Sequence, residues 1–499
     1  LKRPRAARRY HARRASHAYH RWRTPHCFGA SRVGSAPLLM ERASHFWNFV
    51  RQVDRSALHT TAIGWLWRKW QAGAYPPRFH VLEAAGMDRP TCRAVSHAWM
   101  TQTENDAIRG ARLLSGGDRA EPFALAAHCL SGLDLYLHSR CMAGSFHLRC
   151  KRLLGPRFKR WISSWASEVG RKAQMLGFPL VVLLTAEKAR FVHQALHGDG
   201  FGTAIVAAYH GPESWIHDHG GHAMTESLAE SLGLPTAAPL GEEVTRLAGA
   251  SANDFAGNGT HAWLQDIVLA PSSPYHGDVH WRGPDGRDLL FAFMGSPTSY
   301  IRRQLLRVWG ERGKSGRRRR ADVLVSQLLT NSSPVSTDPY TATLQRAKWC
   351  GVPDGSAPWS HRFMDAMHCG CVPVVISERW HPPFSRLINW VKVAAPILFL
   401  RPRRISDLRR ILAAVPADVW LRKQKATRAF SVALDHRSYE YHQMWMGEAM
   451  LSQSWREKLC RAVSELGEGA IDVARRGVPQ ICGNRSVPET APWLRADST

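Results

Sequence analysis

The sequence predicts an α/β fold. Short apolar runs of strand length alternate along the chain with amphipathic stretches, a pattern typical of strands connected by helices. The chain has 499 residues, enough for two or three domains at about 150 residues each. Its hydrophobic fraction of 44% and charged fraction of 21% are ordinary for a globular protein. These values exclude a wholly disordered chain, and no apolar run approaches the length of a membrane-spanning helix.

The alternation is clearest in the second half of the chain. The predicted strands there are Asp288–Met294, Ala321–Ser326, Cys371–Ser377 and Lys392–Leu400, and the predicted helices are Ser299–Trp309, Arg362–His368 and Ser406–Val415. Because proline cannot donate to a strand ladder, Pro373 predicts that its strand starts after it or lies at an edge. In the first half we expect strands at Pro179–Thr185 and Ala204–Tyr209, and we assign no element before about residue 110.

Two basic segments are expected outside the folded elements. Residues 1–36 are rich in Arg and His without hydrophobic spacing, which predicts disorder. Residues 314–320 form a second basic run that we interpret as an exposed loop. The chain begins with Leu1 rather than Met, so we expect an upstream piece that could carry a signal or membrane anchor.

The net charge of +27 suggests a nucleic-acid partner at first sight. However, 55 of the 67 basic residues are Arg and only 12 are Lys, and the chain is rich in residues with G- or C-heavy codons. Codon bias with some attraction to anionic ligands therefore explains the charge better than dedicated nucleic-acid binding does.

The cysteines do not form a metal-binding or redox motif. None of the ten forms a CxxC pair, and the closest pair is Cys369-Gly370-Cys371, which fits neither a zinc knuckle nor a thioredoxin-like site. No Asp-x-Asp pair occurs either. Asn-x-Ser/Thr acceptors at Asn258, Asn331 and Asn484 permit a secretory route without proving it.

An ordered series of motifs lies between residues 287 and 412. It comprises Arg287-Asp-Leu-Leu-Phe-Ala-Phe-Met-Gly295, Trp349-Cys350, Ser360-His-Arg362, Gly370-Cys-Val-Pro373, Pro383-Phe-Ser385 and Asn389-Trp390. This series resembles the exostosin family of glycosyltransferases, family 47. The resemblance implies a GT-B type fold, in which two facing Rossmann-like domains hold donor and acceptor in a cleft between them.

Domain boundaries follow from this resemblance. Residues 1–36 would be the basic segment, 37–275 the acceptor domain, 276–465 the nucleotide-sugar domain and 466–499 a tail. The resemblance also implies transfer with inversion from a nucleotide-sugar, expected to be UDP-linked, to a glycan or glycoprotein acceptor. The family's usual setting is the Golgi lumen, with a membrane anchor upstream of the given chain.

The residue types suit a diphosphate. Helix amino termini and guanidinium groups bind phosphates, and ligands of open α/β sheets gather at the carboxyl ends of strands. We expect Ser360 to cap the helix that starts near Arg362, and a carboxylate just past a strand to accept the ribose hydroxyls. The predicted donor-binding residues are Gly295, Arg302, Ser360, Arg362 and Glu378.

Each assignment has an alternative. Arg362 could pair with Asp365 one turn away, and Glu378 could pair with Arg379 or Arg386. Arg287 and Arg302 could contact phosphate or lie on a solvated helix face, and Cys350 and Cys371 suit packing or a disulfide. Trp359, Trp380 and Trp390 could stack on sugars, although core packing is the better interpretation with 20 Trp in the chain.

The catalytic base should come from the first domain. Asp218 and His217, with His219 beside them, are the candidates, although each could be an ordinary surface or core residue. We expect no metal and no other cofactor, because helix dipoles and basic side chains can stabilise the leaving diphosphate. The rival hypotheses are a catalytically degenerate partner or scaffold protein and, less favoured, an Arg-rich nucleic-acid-binding protein.

Overall fold

The computed structural model describes residues 45–82, 99–127, 163–184, 204–209, 267–273, 282–310, 321–327, 339–355, 360–377, 382–390, 392, 395–400 and 402–465. Two five-stranded sheets organise these residues, and every strand pair within them is parallel. The predicted α/β class is thereby confirmed.

The first sheet lies in the first half of the chain. Its strands are β1 (Arg78–Val81), β2 (Pro122–Ala127), β3 (Leu180–Leu184), β4 (Ile205–Ala208) and β5 (Ile267–Val268), in sequential order across the sheet. The helices of this half are α1 (His45–Gln52), α2 (Thr60–Gln71), α3 (Trp99–Leu114) and α4 (163–176). Buried Val, Leu and Ala dominate β2 to β4, as expected for parallel strands covered on both faces.

The second sheet has the strand order β10-β9-β8-β6-β7. Its strands are β6 (Leu289–Met294), β7 (Val323–Ser326), β8 (Ala347–Pro353), β9 (Val372–Ile376) and β10 (Leu398–Phe399). The helices are α5 (Tyr300–Trp309), α6 (Pro339–Arg346), α7 (Arg362–His368) and α8 (Leu408–Ala413). Because β7 lies on one side of β6 and β8 on the other, the sheet reverses its winding between β6 and β8. A crevice at such a switch point is where ligands bind in open α/β sheets.

Two C-terminal helices, α9 (Ala417–Ala433) and α10 (Tyr439–Glu465), follow the second sheet. Helix α10 packs against α1, α3, β4 and β5, which belong to the first half. The segment after β9 also reaches the first half, since the Phe384 N–H donates to the Val268 carbonyl oxygen at 3.0 Å. Sheets and C-terminal helices thus share one buried core. The predicted domain boundaries stay predictions.

Most predicted elements of the second half are confirmed. The strand expected at 392–400 is shorter, since only Leu398–Phe399 pairs with β9. The helix expected at 406–415 is a 3-10 helix at Pro402–Asp407 followed by α8. The expectation for Pro373 was wrong, because it is the second residue of an interior strand. On the β10 side the ladder begins only at Val374, so no hydrogen bond to β10 is required of Pro373.

Several sequence features lie outside the described residues, among them residues 1–36, the basic run 314–320 and the three glycosylation acceptors. Within the described part, no helix combines the length and apolarity that crossing a bilayer requires. Cys350 of β8 and Cys371, just before β9, form a disulfide bond with a Cα–Cα distance of 5.8 Å. The disulfide interpretation of these two cysteines is therefore confirmed.

Candidate functional site

Four of the predicted donor-binding residues meet at the carboxyl edge of the second sheet. Gly295 follows β6 directly, and Arg302 lies in the first turn of α5, the helix that follows it. Ser360 and Arg362 stand at the start of α7, which follows β8. Both connections start at the switch point between β6 and β8, so strand order brings these side chains together at one edge of the sheet, where ligands of open α/β sheets gather.

Helix α5 begins at a cap that fixes Arg302. The Ser299 hydroxyl accepts the Arg302 N–H at 3.1 Å and donates to the Asp354 carbonyl oxygen at 2.7 Å. This cap satisfies one of the helix's unpaired amides and ties α5 to the end of β8. Arg302 therefore projects from the first turn toward the edge of the sheet.

The Arg302 side chain is buried, and its hydrogen bonds within the described residues go to uncharged oxygen acceptors. Its guanidinium donates to Thr298 Oγ1 at 3.1 Å, and to the Pro353 carbonyl oxygen and Ser360 Oγ at 3.5 Å each. The buried Nε has no hydrogen-bond partner among the described residues. The alternative of a solvated helix face was therefore wrong for Arg302.

Arg362 reaches the same edge from α7. Its Nε donates to the Met294 carbonyl oxygen at 3.0 Å, and its guanidinium carbon lies 5.7 Å from the centre of the Phe293 ring. The helix begins at Arg362 as predicted, but His361 occupies the cap position with helical backbone angles. Ser360, one residue earlier, accepts the backbone N–H of Arg362 at 3.4 Å, and the same hydroxyl lies 3.5 Å from the Arg302 guanidinium.

Two glycines make room for the guanidinium groups. A Cβ on Gly295 would lie 2.8 Å from Arg362 Nη2, and a Cβ on Gly355 would lie 2.9 Å from Arg302 Nη2. Gly295 does not offer its N–H to a ligand, because that group donates to the Ser326 carbonyl oxygen at 3.1 Å. Its role is to allow Arg362 to pass close to the backbone.

The site brings two guanidinium groups close together, and the buried Asp354 carboxylate offsets part of their positive charge. Burial, and next the neighbouring Arg362, lower the pKa of Arg302 to about 10. Within the described part of the chain, neither guanidinium forms an ion pair with a carboxylate. Two adjacent cations without a paired carboxylate repel each other, and a bound anion with several oxygens would relieve that repulsion through charge-assisted hydrogen bonds.

Asp365 is not the partner of Arg362 that the alternative interpretation expected. Its Oδ1 accepts from the Ser273 hydroxyl at 2.6 Å and its Oδ2 from the Tyr340 hydroxyl at 2.9 Å. Burial, and next the Asp365 carboxylate, raise the pKa of Tyr340, so the phenol stays protonated and able to donate. The Arg362 guanidinium remains directed at the edge of the sheet.

A second polar contact joins α7 to the first half. His361 Nδ1 lies 2.5 Å from the Ser272 carbonyl oxygen, and because a carbonyl only accepts, Nδ1 must carry the proton. Burial lowers the pKa of His361 to about 4, so the ring is neutral at pH 7. The Tyr209 hydroxyl lies 3.0 Å from Ser272 Oγ and 3.1 Å from Thr103 Oγ1.

Arg287 is neither a phosphate ligand nor part of a solvated face. Its guanidinium donates to the Ala347 carbonyl oxygen at 2.6 Å, the Cys369 carbonyl oxygen at 2.9 Å and the Leu344 carbonyl oxygen at 3.3 Å. These groups lie at the amino ends of β8 and β9, opposite the candidate site. Arg287 thus ties the sheet to the ends of α6 and α7, and burial lowers its pKa to about 10.

Of the remaining predictions, one is confirmed and the others concern residues that the structure does not describe. Trp390 is buried against Phe363 and Phe430 and donates to the Pro383 carbonyl oxygen at 2.7 Å, which confirms core packing for this tryptophan. Glu378, Asp218, His217, Trp359 and Trp380 lie outside the described residues. Among the described residues, His, Cys, Asp and Glu form no group of three that could hold a metal ion.

Sequence reasoning missed Ser272, Ser273, Tyr340 and Gly355. Ser273 lies 92 positions from its partner Asp365, and no spacing rule relates two residues so far apart. The closeness of Gly355 to the Arg302 guanidinium depends on how α5 packs beside β8.

Comparisons with known proteins show similarity to glycosyltransferases. Residues 250–415 match the family model of the Exostosin GT47 domain. A probable glycosyltransferase of Arabidopsis thaliana is 34% identical over 139 residues, 28% of this chain and 26% of the relative. A probable glucuronosyltransferase of Oryza sativa subsp. japonica is 37% identical over 174 residues, 34% of this chain and 40% of the relative. A probable beta-1,4-xylosyltransferase of Arabidopsis thaliana is 37% identical over 94 residues, 18% of this chain and 22% of the relative.

The chain therefore spans less than half the length of these curated relatives. Among solved structures, the chain is similar to CalG4, the calicheamicin glycosyltransferase, with 12% identity and a TM-score of 0.27 over 77% of this chain and 99% of that chain. The two five-stranded parallel sheets with their helices confirm the α/β fold that the sequence predicted.

Proposed function

We propose that this chain, whose residues 250–415 match the family model of the Exostosin GT47 domain, transfers a sugar from a nucleotide-sugar to a glycan or glycoprotein acceptor. The donor is UDP-linked, and the anomeric centre is inverted. The observation that carries the proposal is the pair Arg302 and Arg362, two neighbouring guanidiniums at the switch point of a parallel sheet that form no ion pair with a carboxylate of the described residues.

The diphosphate of the donor binds between these two arginines. Arginine presents a planar fork of N–H donors that matches phosphate oxygens, and the Ser360 hydroxyl adds a further polar group beside both. As the glycosidic bond to the diphosphate breaks, negative charge grows on its oxygens. Donors already fixed around those oxygens stabilise the transition state more than the ground state, because they need no reorganisation.

We propose that no divalent ion takes part. The sequence contains no Asp-x-Asp pair, and the two guanidiniums supply the positive charge that a metal would otherwise provide. Activity that survives EDTA at millimolar concentration would support this part of the proposal, and activity that requires Mn²⁺ or Mg²⁺ would contradict it.

Inversion needs a base that takes the proton of the acceptor hydroxyl. We propose Asp218, with His217 as its alternative, because a base should come from the first domain facing the donor. Separate Asp218→Asn and His217→Gln variants, compared for transfer and for donor binding, would identify it. The base variant should lose transfer and retain affinity for UDP.

We also propose that the protein works in the Golgi lumen. The Cys350–Cys371 disulfide supports an oxidising compartment, since disulfides are rare in proteins of the cytosol. Microscopy of the full-length protein with a Golgi marker tests this location.

Thermal denaturation with UDP, GDP, CMP and UDP-sugars tests the central proposal. A ligand at one hundred times its Kd stabilises the folded state by about 2.7 kcal/mol, so UDP compounds should raise the Tm and the others should not. A panel in which no nucleotide raises the Tm would contradict the proposal and favour the degenerate partner or scaffold.

A further inference from the structure

The first half of the chain makes polar contacts with α7, the helix that carries Arg362. Ser272 and Ser273 are consecutive residues in the segment that leaves β5, and both are buried. Ser272 accepts from His361 through its carbonyl oxygen, and Ser273 donates to Asp365 through its hydroxyl. One short segment therefore makes two polar contacts across the sheets.

The two contacts hold one face of α7. Residues four apart lie on the same face of a helix, so His361 and Asp365 present their side chains to the first half together. Arg362, one position along, points away from that face to the Met294 carbonyl oxygen. The two contacts therefore flank Arg362 in the sequence. They leave its guanidinium directed at the candidate donor site.

The segment that contains Ser272 and Ser273 is itself held in place by hydrogen bonds. The Leu269 N–H donates to the Ala208 carbonyl oxygen at 2.8 Å, which extends the pairing of β5 with β4. The Tyr209 hydroxyl, just after β4, lies 3.0 Å from Ser272 Oγ. A shift of α7 would leave the Asp365 carboxylate short of a hydrogen bond, and losing such a partner for a buried charge is costly.

We propose that Ser273 is a positioning residue of the donor site, acting through Asp365 and α7 on the Arg362 guanidinium. This inference rests on the proposed function. It means that the first half of the chain, proposed to bind the acceptor, also sets the geometry of donor binding.

A double-mutant cycle on UDP affinity tests the proposal. Calorimetric titration with UDP compares wild type, Ser273→Ala, Arg362→Ala and the double variant of the full chain. We expect Ser273→Ala to weaken UDP binding about three- to tenfold, the range for one lost hydrogen bond. In the Arg362→Ala background the same change should add nothing, because the residue it acts through is gone.

Ser431→Ala is the matched control. Ser431 is as buried as Ser273, at 5% and 4% exposure, and its hydroxyl also makes one hydrogen bond, to the Arg428 carbonyl oxygen at 2.8 Å in α9. It should cost less stability than Ser273→Ala, whose lost partner is a charged carboxylate, and leave UDP affinity unchanged. Should Ser273→Ala fail to fold, Asp365→Asn, which keeps the side-chain volume, enters the cycle in its place.

Two results would overturn the role of Ser273 while leaving the proposed function intact. One is a Ser273→Ala protein that binds UDP as wild type does, and the other is an equal further loss in the Arg362→Ala background, which would show a general structural effect. If wild type itself binds no UDP, the proposed function fails and the inference falls with it.

Discussion

Arg362→Ala is the most direct perturbation of the proposed donor site. In the free protein the Arg362 side chain donates one hydrogen bond to the Met294 carbonyl oxygen and lies over the Phe293 ring. Losing a hydrogen bond of about 0.5–1.5 kcal/mol and a cation–π contact of about 0.5–1 kcal/mol should lower the free energy of unfolding by about 1–2.5 kcal/mol. The folded state should therefore persist.

The effect on UDP should be larger than the effect on stability. A hydrogen bond to a charged group is worth about 1.5–3 kcal/mol, and 1.4 kcal/mol corresponds to a factor of ten in Kd. Arg362→Ala should therefore weaken UDP binding about ten- to a hundredfold. At a UDP concentration of about one hundred times the wild-type Kd, stabilisation should fall from about 2.7 kcal/mol to about 1.4 kcal/mol at the tenfold loss, and to about 0.4 kcal/mol at the hundredfold loss.

Calorimetric titration with UDP and urea denaturation without it measure the two effects separately. Arg303→Ala is the control, because Arg303 lies in α5, is exposed and also donates to a carbonyl oxygen, that of Pro297 at 3.3 Å. It should bind UDP as wild type does. If wild type binds UDP and Arg362→Ala binds it within about twofold of the same Kd, the guanidinium is not part of the donor site.

Two further predictions concern a glycine and a buried histidine. Gly355→Ala should displace the Arg302 guanidinium, because its Nη2 would lie 2.9 Å from the new Cβ. UDP binding measured by titration should weaken several-fold, whereas Gly117→Ala, which has open space around it, should leave it unchanged. Equal UDP affinities of the two variants would refute this role of Gly355. Burial lowers the pKa of His442 to about 3, and its Nδ1 accepts from Trp445 Nε1 at 3.3 Å, so the ring is neutral in the fold. Below pH 6.5 the unfolded chain binds a proton there that the folded chain cannot, and stability should fall by about 1.4 kcal/mol per pH unit from this group. Urea denaturation at pH 7 and pH 5 should show a smaller loss for His442→Gln, and an unchanged loss would exclude the histidine as the cause.

The local part of the site could be predicted from the sequence. The strand before Gly295 and the helix starting at Arg362 follow from apolar runs and turn residues, which act over a few positions. Their carboxyl-edge position follows from parallel pairing, which alternating strands and helices imply. Sequence motifs therefore led to Arg302, Ser360 and Arg362 before any coordinates.

Packing decided the remaining roles. Arg287 and Arg302 looked alike in sequence, as arginines beside the same strand, but one is at the amino edge of the sheet and the other at the carboxyl edge. Arg287 lies just before β6, and Arg302 lies in the helix that follows β6. Only the strand order shows which neighbouring residues each arginine contacts. Arg287 therefore binds carbonyl oxygens of the protein, while Arg302 faces the switch point.

The α/β class, most elements of the second half and the family resemblance were predictable from the amino-acid sequence, because each depends on residues close together in the chain or on an ordered motif. The hydrogen bond between Ser273 and Asp365 and the packing of α10 on the first sheet became apparent only in the folded chain. Such contacts join residues far apart in the chain. They are fixed by the simultaneous burial of many side chains, which no local pattern encodes.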